Sequence, residues 1–372
     1  MSFLFSCFPC FTSDPVLIIN RAKFKILKLL GEGGFSYVYL VQASNGATYA
    51  LKKIRCPFGA ESMRIAMTEV ENYREFHSPY IIRAIDSSTV QEEDGSKTVY
   101  ILLPYFERSL QDVINTNAIE STQIDEAEAI RIFIGICRGL QSMHRHQPNH
   151  RSVAMNEVNM NVATSEHERL LLDASTSNIT DDDTASLAET IPSMSTGPIN
   201  DEDAQNGTEL TETIAYAHRD IKPANVMLSK DGLPVLCDLG SCAKARITAK
   251  NRSTAVAIQE LAAEHCTLPY RAPELLDVKT GAHLDEKIDI WSLGCLLYAL
   301  LYGCSPFEHE EAESGGSMNM AISNGKWEYP KRGDVYSDDI KELIEMCLVV
   351  DPEQRPAVED VLTKALAVQS RS

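Results

Sequence analysis

The chain is short of positive charge and of tryptophan. It carries 34 Lys and Arg against 53 Asp and Glu, a formal net charge of −19, and only 2 Trp in 372 residues. That deficit excludes a general nucleic-acid binder, which neutralises phosphates with Lys and Arg. No apolar run reaches the roughly 18 residues that a membrane-spanning helix needs. The longest stretch, 290–302, is shorter and contains Ser292, so a buried core helix is expected there. Residues 1–11 are apolar but lack a basic n-region and a long h-region, so no secretory signal is expected. The 10 cysteines lie mostly inside apolar runs such as Ile136-Cys137 and Leu293-Gly294-Cys295-Leu296. This reads as reduced, buried thiols of a cytosolic protein rather than a disulfide framework.

The negative charge is concentrated. Residues 151–215 hold 13 Asp and Glu against 2 Lys and Arg, while the remainder holds 40 against 32. The surrounding segment, 147–213, is rich in Ser, Thr, Asn and Asp and nearly free of aromatics. Too little apolar surface is available there to offset the entropy of ordering, so an acidic disordered insertion is expected. Elsewhere the chain is apolar enough for a sizeable core, at 44% hydrophobic residues overall.

Residues 1–20 read as a short tail rich in Phe and Cys. Strand-like runs follow at 24–30, 37–42, 48–54 and 98–103, interrupted by one helical stretch near 62–76. From 110 to 146 the pattern is helical, with Ala129, Ile132, Phe133, Ile136, Leu140 and Met143 on one face. After the acidic segment come short strands at 226–228 and 235–237, then helices near 255–264, 286–301, 338–349 and 358–367.

Five motifs carry chemistry. The first is Gly31-Glu32-Gly33-Gly34-Phe35-Ser36-Tyr37-Val38 between two strands. Its glycines let backbone N–H groups approach phosphate oxygens, although a Gly-rich hairpin turn has the same look. It lacks the Lys-Ser/Thr ending of a P-loop. The second is Ala50-Leu51-Lys52 on the next strand, a point charge suited to phosphates. Glu69, 17 residues later, could hold that lysine; Glu71 competes, and helix spacing does not choose between them.

The third motif, His218-Arg219-Asp220-Ile221-Lys222-Pro223-Ala224-Asn225, is the most specific. Asp220 would take or orient the proton of an attacking hydroxyl, Lys222 would steady a transferring phosphoryl group, and Asn225 would reach a metal ion. The fourth is Asp238-Leu239-Gly240, 13 residues after Asn225; Asp238 would bind a divalent metal. The fifth joins Thr267-Leu268-Pro269-Tyr270-Arg271-Ala272-Pro273-Glu274 to Asp289 and Arg355. Glu274 and Arg355 would form a buried structural ion pair. Asp289 would tie its helix to the catalytic-loop backbone.

In this order, the five motifs resemble the eukaryotic protein kinase family over residues 24–367, interrupted by 147–213. The resemblance implies an α+β, bilobal fold with a β-rich N-lobe, a larger helical C-lobe and ATP between them. It assigns catalytic roles to Asp220, Lys222 and Lys52, and metal binding (Mg²⁺ or Mn²⁺) to Asn225 and Asp238. ATP would be held by Leu30, Gly31, Glu32, Gly33, Gly34, Val38, Ala50, Lys52, Glu69, Leu103, Pro104, Tyr105, Phe106, Asn225 and Leu228. In this pattern Leu103 is the gatekeeper and 104–106 the hinge. Lys222 after Asp220 matches the serine/threonine class, with proteins as substrates.

Leu30-Gly31-Glu32-Gly33-Gly34-Phe35-Ser36-Tyr37-Val38, Leu102-Leu103-Pro104-Tyr105-Phe106, Asp238-Leu239-Gly240-Ser241 and the Cys266–Glu274 stretch resemble the Numb-associated kinases. Within them the chain is most similar to the acylated, membrane-attached branch, whose fungal members include a vacuolar-membrane kinase. Members carry an extra helix in the activation segment, here 238–274, and 255–264 has that periodicity. Ser36 in place of a third glycine and Leu239 in place of Phe are mild departures.

In the tail, Cys7-Phe8-Pro9-Cys10 beside several Phe suits palmitoylation of Cys7 and Cys10 better than a redox or zinc pair. Ser2 is not the glycine that myristoylation requires. A membrane-tethered kinase at the cytoplasmic face of the vacuole or Golgi, with a cytosolic pool and a role in membrane traffic, is the resulting expectation. The alternative, a membrane scaffold with a kinase fold, would gain from the loss of a catalytic residue, and none is lost. Ser253 and Thr254 are candidate autophosphorylation sites, since Arg219 beside Asp220 would partner a phosphate. Lys244, Arg246, Lys250 and Arg252 form a basic run suited to acidic substrates, or simply to solvent.

Overall fold

The computed structural model describes residues 16–20, 22–57, 59–92, 94–147 and 213–371. Cys7, Cys10 and acidic-segment residues 148–212 lie outside the described residues.

Six strands, β1 (Val16–Ile19), β2 (Ala22–Glu32), β3 (Ser36–Ala43), β4 (Thr48–Cys56), β5 (Asp86–Gln91) and β6 (Lys97–Pro104), form one antiparallel sheet ordered β1-β2-β3-β4-β6-β5. Helix α1 (Ala60–Glu75) packs on one face through Ala66, Val70 and Tyr73. The other face has a small apolar cluster of its own, built on Ile19, Phe24, Val41, Leu51, Tyr100 and Leu102. Residues 16–19 of the Phe- and Cys-rich N-terminal segment therefore lie in the sheet; β1 covers the β2 edge and buries Ile19.

The larger part is helical. The helical pattern over 110–146 divides into α2 (Leu110–Glu120) and α3 (Glu126–His144), because Ser121 turns left-handed at φ 54°. Ser109 starts α2 with a reciprocal capping box to Asp112, and Asp125 caps α3 through the Ala127 and Glu128 amides. Beyond the acidic segment lie α4 (Arg252–His265), α5 (Lys287–Tyr302), α6 (Pro306–Ser314), α7 (Met318–Asn324), α8 (Asp338–Cys347) and α9 (Val358–Gln369). Helix α5 is buried on all sides from Ile288 to Leu301, as a core helix should be. No single described helix is long and apolar enough to cross a membrane. The eight described cysteines are free, and seven are buried.

Two short strands, Val226–Leu228 and Pro234–Leu236, form a hairpin whose second strand lies on α3. Gly135 makes this approach workable: a Cβ there would stand 2.3 Å from the Pro234 Cγ. The chain on either side of the acidic segment is joined by one bridge, in which the Ile214 N–H donates to the His146 carbonyl at 2.9 Å.

Candidate active site

Strand register builds the upper wall. Val38 pairs with Lys52, Ala50 with Leu103, and Tyr49 with Pro104, so Val38, Ala50, Lys52 and Leu103 share one face. Ala50 and Leu103 are buried, and Val38, Phe106 and Leu228 pack against the same core. Pro104, Tyr105 and Phe106 are half-buried where β6 ends. In the β2–β3 turn, the Gly33 N–H donates to the Ser36 carbonyl at 2.8 Å. Gly31, Gly33 and Gly34 have no positive φ, and a Cβ on Gly31 or Gly34 would meet nothing within 4 Å. The fold itself does not require glycine at 31 and 34. A phosphate laid against the backbone would, because a Cβ fills the space it needs.

Lys52 is buried, and its Nζ donates to Glu69 Oε1 at 2.6 Å and to Asp238 Oδ1 at 2.8 Å. Glu69 is thus the partner, and Glu71 points to solvent. Burial disfavours the ammonium, yet Tyr73, Glu69 and Asp238 around it outweigh burial and raise the Lys52 pKa. Burial raises the Glu69 carboxyl, partly offset by Lys52. Burial alone would raise Asp238 as well, but the Lys52 ammonium holds it down to about 2. Asp238 has a left-handed backbone, φ 58°, and about half its side chain is exposed.

The lower wall is the loop after a two-residue strand at Tyr216–Ala217. Asp220 Oδ2 accepts from Asn225 Nδ2 at 2.8 Å and lies 2.7 Å from the Lys222 ammonium. Its Oδ1 accepts from the Thr267 hydroxyl at 2.6 Å and the Thr267 N–H at 3.1 Å, and Lys222 also donates to that hydroxyl at 2.7 Å. Thr267 was not singled out from the sequence as a site residue. Its only signal was a position within the Thr267–Glu274 motif, 47 residues from its partner.

Beneath this layer, Asp289 is fully buried and accepts from the His218 and Arg219 N–H groups, both at 2.8 Å, and pairs with His144 Nε2 at 3.1 Å. Burial would raise its carboxyl, but these partners, His144 foremost, hold it below the usual range. His218 Nδ1 accepts from the Asp220 N–H at 3.3 Å, which leaves Nε2 to donate to the Cys237 carbonyl at 3.0 Å. Arg355 grips Glu274 with two parallel bonds of 2.8 and 3.1 Å and lies 5.3 Å from the Trp291 ring. Both scaffold expectations, the Asp289 tie and the Glu274–Arg355 pair, are present in the geometry.

One expectation is corrected. Thr254 is not a surface phosphoacceptor in this conformation: it is 2% exposed, and its hydroxyl donates to Asn251 Oδ1 at 3.0 Å inside the α4 cap. Ser253 is exposed beside it. Arg219 spends its guanidinium on the Lys244 carbonyl at 2.9 Å, and Arg246 pairs with Glu286.

Asp238 and Asn225 supply two side-chain oxygens, and the described residues hold no cluster of three or more His, Cys, Asp or Glu. Such a sparse set fits a divalent ion that keeps several waters and shares phosphate oxygens rather than one held in an all-protein cage.

Known proteins resemble the chain over most of its length. The protein kinase domain family matches residues 24–167 and 211–366. The chain is 43% identical to Serine/threonine-protein kinase ENV7 of Saccharomyces cerevisiae over 94% of its length and 93% of that protein's. It is 38% identical to Serine/threonine-protein kinase ppk13 of Schizosaccharomyces pombe, over 94% and 92% of the two chains. With Serine/threonine-protein kinase 16 of Rattus norvegicus it shares 30% identity over 97% and 95%. A protein kinase of this kind uses ATP and a divalent metal ion. The β-rich and helical parts, the site between them and these likenesses place the chain in the protein kinase family, as a serine/threonine protein kinase.

Proposed function

We propose that phosphoryl transfer runs through Asp220, Lys222, Lys52, Asn225 and Asp238, and that an acylated tail holds the enzyme at an internal membrane. One observation carries the first part. The buried Lys52 ammonium joins Glu69 and Asp238 at once. Lys52 presents its charge to the α- and β-phosphates, and Glu69 keeps it from turning away. Asp220 orients the hydroxyl of a serine or threonine and receives its proton. Lys222, fixed between Asp220 and Thr267, faces the transferring charge. Leu30, Val38, Ala50, Leu103 and Leu228 enclose the adenine, with 104–106 as the hinge. Asn225 and Asp238 would hold the Mg²⁺ or Mn²⁺, whose charge would neutralise that of the phosphates.

The expected result of Lys52→Met is loss of phosphate incorporation from radiolabelled ATP, with wild-type folding by circular dichroism. Full incorporation by the variant would refute the assignment.

Membrane attachment rests on Cys7 and Cys10 beside Phe3, Phe5, Phe8 and Phe11, and on likeness to the acylated kinase branch. A vacuolar or Golgi membrane, with a cytosolic pool and traffic proteins as substrates, is the corresponding reading. Cys7→Ser/Cys10→Ser should move the protein from the membrane pellet to the soluble fraction; an unchanged pellet contradicts acylation at these cysteines.

A further inference from the structure

Glu69 has a neighbour on the same face of α1 that no kinase motif requires. Asn72 lies three residues on, and residues three apart share a helix face. It is 6% exposed. Its amide nitrogen donates to the Leu239 carbonyl at 3.1 Å and to the Cys242 carbonyl at 2.8 Å. These two carbonyls bracket the short 3₁₀ turn Leu239–Ser241, which begins immediately after Asp238. Glu69, Lys52, Asp238, the turn and Asn72 therefore form a closed circuit: α1 grips Asp238 from one side through Lys52 and from the other through the turn that follows it.

Asp238 needs a second grip. Its φ of 58° is the left-handed region that a non-glycine residue keeps only when its surroundings over-determine it. The Lys52 contact fixes only the carboxylate, which is half exposed. The backbone beyond it is fixed by Asn72, by the Cys242 N–H to the Leu239 carbonyl at 3.2 Å, and by the Ser241 hydroxyl to the His265 carbonyl at 3.2 Å. Of these, Asn72 alone reaches back to the helix that carries Glu69. Packing of α1 on the sheet falls to Ala66, Val70 and Tyr73, so the position does not need a polar side chain for the helix to dock.

We infer that Asn72 is a positioning residue for the phosphoryl-transfer reaction. By cross-linking α1 to the Leu239–Cys242 turn, it keeps Asp238 aimed at the nucleotide and metal position. This rests on the roles proposed above for Lys52 and Asp238.

The test compares wild-type full-length chain with Asn72→Leu, which keeps the approximate volume and removes both donors. Four quantities are read: kcat, the KM for ATP, the Mg²⁺ concentration giving half-maximal rate, and amide hydrogen exchange of 239–242. Asn72→Leu should lower kcat about tenfold, the scale of losing one or two neutral hydrogen bonds. Half-saturating Mg²⁺ should rise several-fold and exchange at 239–242 should speed up. The KM for ATP should change less than about twofold, because the adenine wall is untouched. If Asn72→Leu does not accumulate, Asn72→Ser, which keeps one hydroxyl donor, carries the same readouts and should fall between wild type and these values. Unchanged Mg²⁺ dependence and exchange overturn the inference, whether the melting temperature drops or not. An inactive wild type would instead refute the proposed function, and exchange would still report on Asn72.

Discussion

Replacing Asp289 by Asn keeps its shape and removes its charge at the point where the catalytic loop is anchored. Asp289 is 0% exposed and faces three donors: the His218 and Arg219 N–H groups at 2.8 Å and His144 Nε2 at 3.1 Å. An amide offers one acceptor oxygen and must turn its NH₂ toward at least one of those donors. Hydrogen bonds to a charged group contribute about 1.5–3 kcal/mol each. Losing one outright and weakening the others amounts to about 3–4 kcal/mol. At roughly 2.1 cal/mol/K of unfolding entropy per ordered residue, that lowers the melting temperature of a domain of this size by roughly 5–7 °C. The damage is also local. Arg219 sits at φ 69°, a conformation held in part by its own N–H bond to Asp289, and Asp220 is the next residue. Phosphate transfer, measured well below the variant's melting point, should fall at least about tenfold as Asp220 loses its fixed position. Thermal unfolding followed by circular dichroism on the full chain gives the first number, and initial rates give the second. A melting point within about 2 °C of wild type would refute this reasoning.

Three further outcomes follow from the same coordinates. Glu274→Gln leaves the buried Arg355 guanidinium without its carboxylate and should cost about 3 kcal/mol, read by denaturant unfolding; in a double-mutant cycle with Arg355→Met the two losses should not add. Gly135→Ala, which would stabilise an open helix, should here destabilise by about 1–3 kcal/mol, because the new Cβ meets the rigid Pro234 ring at 2.3 Å. The Asp289 carboxyl is depressed, so its contribution is present above the ordinary aspartate pKa and is lost as pH falls through the lower folded value. The stability gap between wild type and Asp289→Asn, measured by urea unfolding across pH, should therefore be constant near neutrality and close below about pH 4.

The loop that carries Asp220 was legible in the sequence because its contacts are local. Asp220, Lys222 and Asn225 lie within six residues, and their mutual bonds follow from one loop conformation. The strands themselves were also readable from apolar, β-branched and aromatic runs, but their pairing register, which puts Val38, Ala50 and Leu103 on the face of Lys52, appears only in the structure. Choosing Glu69 over Glu71 was beyond the sequence. Both lie on α1, and its rotation is decided by how Ala66, Val70 and Tyr73 bury against the sheet. Thr267 and Asn72 escaped for a related reason: their partners are 47 and at least 167 residues away. Strand β1 was hidden because four apolar residues next to a Phe-rich tail have no periodicity of their own. Thr254 looked like an exposed phosphoacceptor until the Asn251 cap drew its hydroxyl inward.

The central claim is that Asp220 carries the transfer of phosphate from ATP to protein hydroxyls. Asp220→Ala, assayed beside wild type with radiolabelled ATP and Mg²⁺ on a generic protein substrate, tests it most directly. The account predicts labelled phosphoserine or phosphothreonine from wild type and a loss of about 10²–10⁴-fold in the variant. Equal incorporation by the two proteins would contradict it.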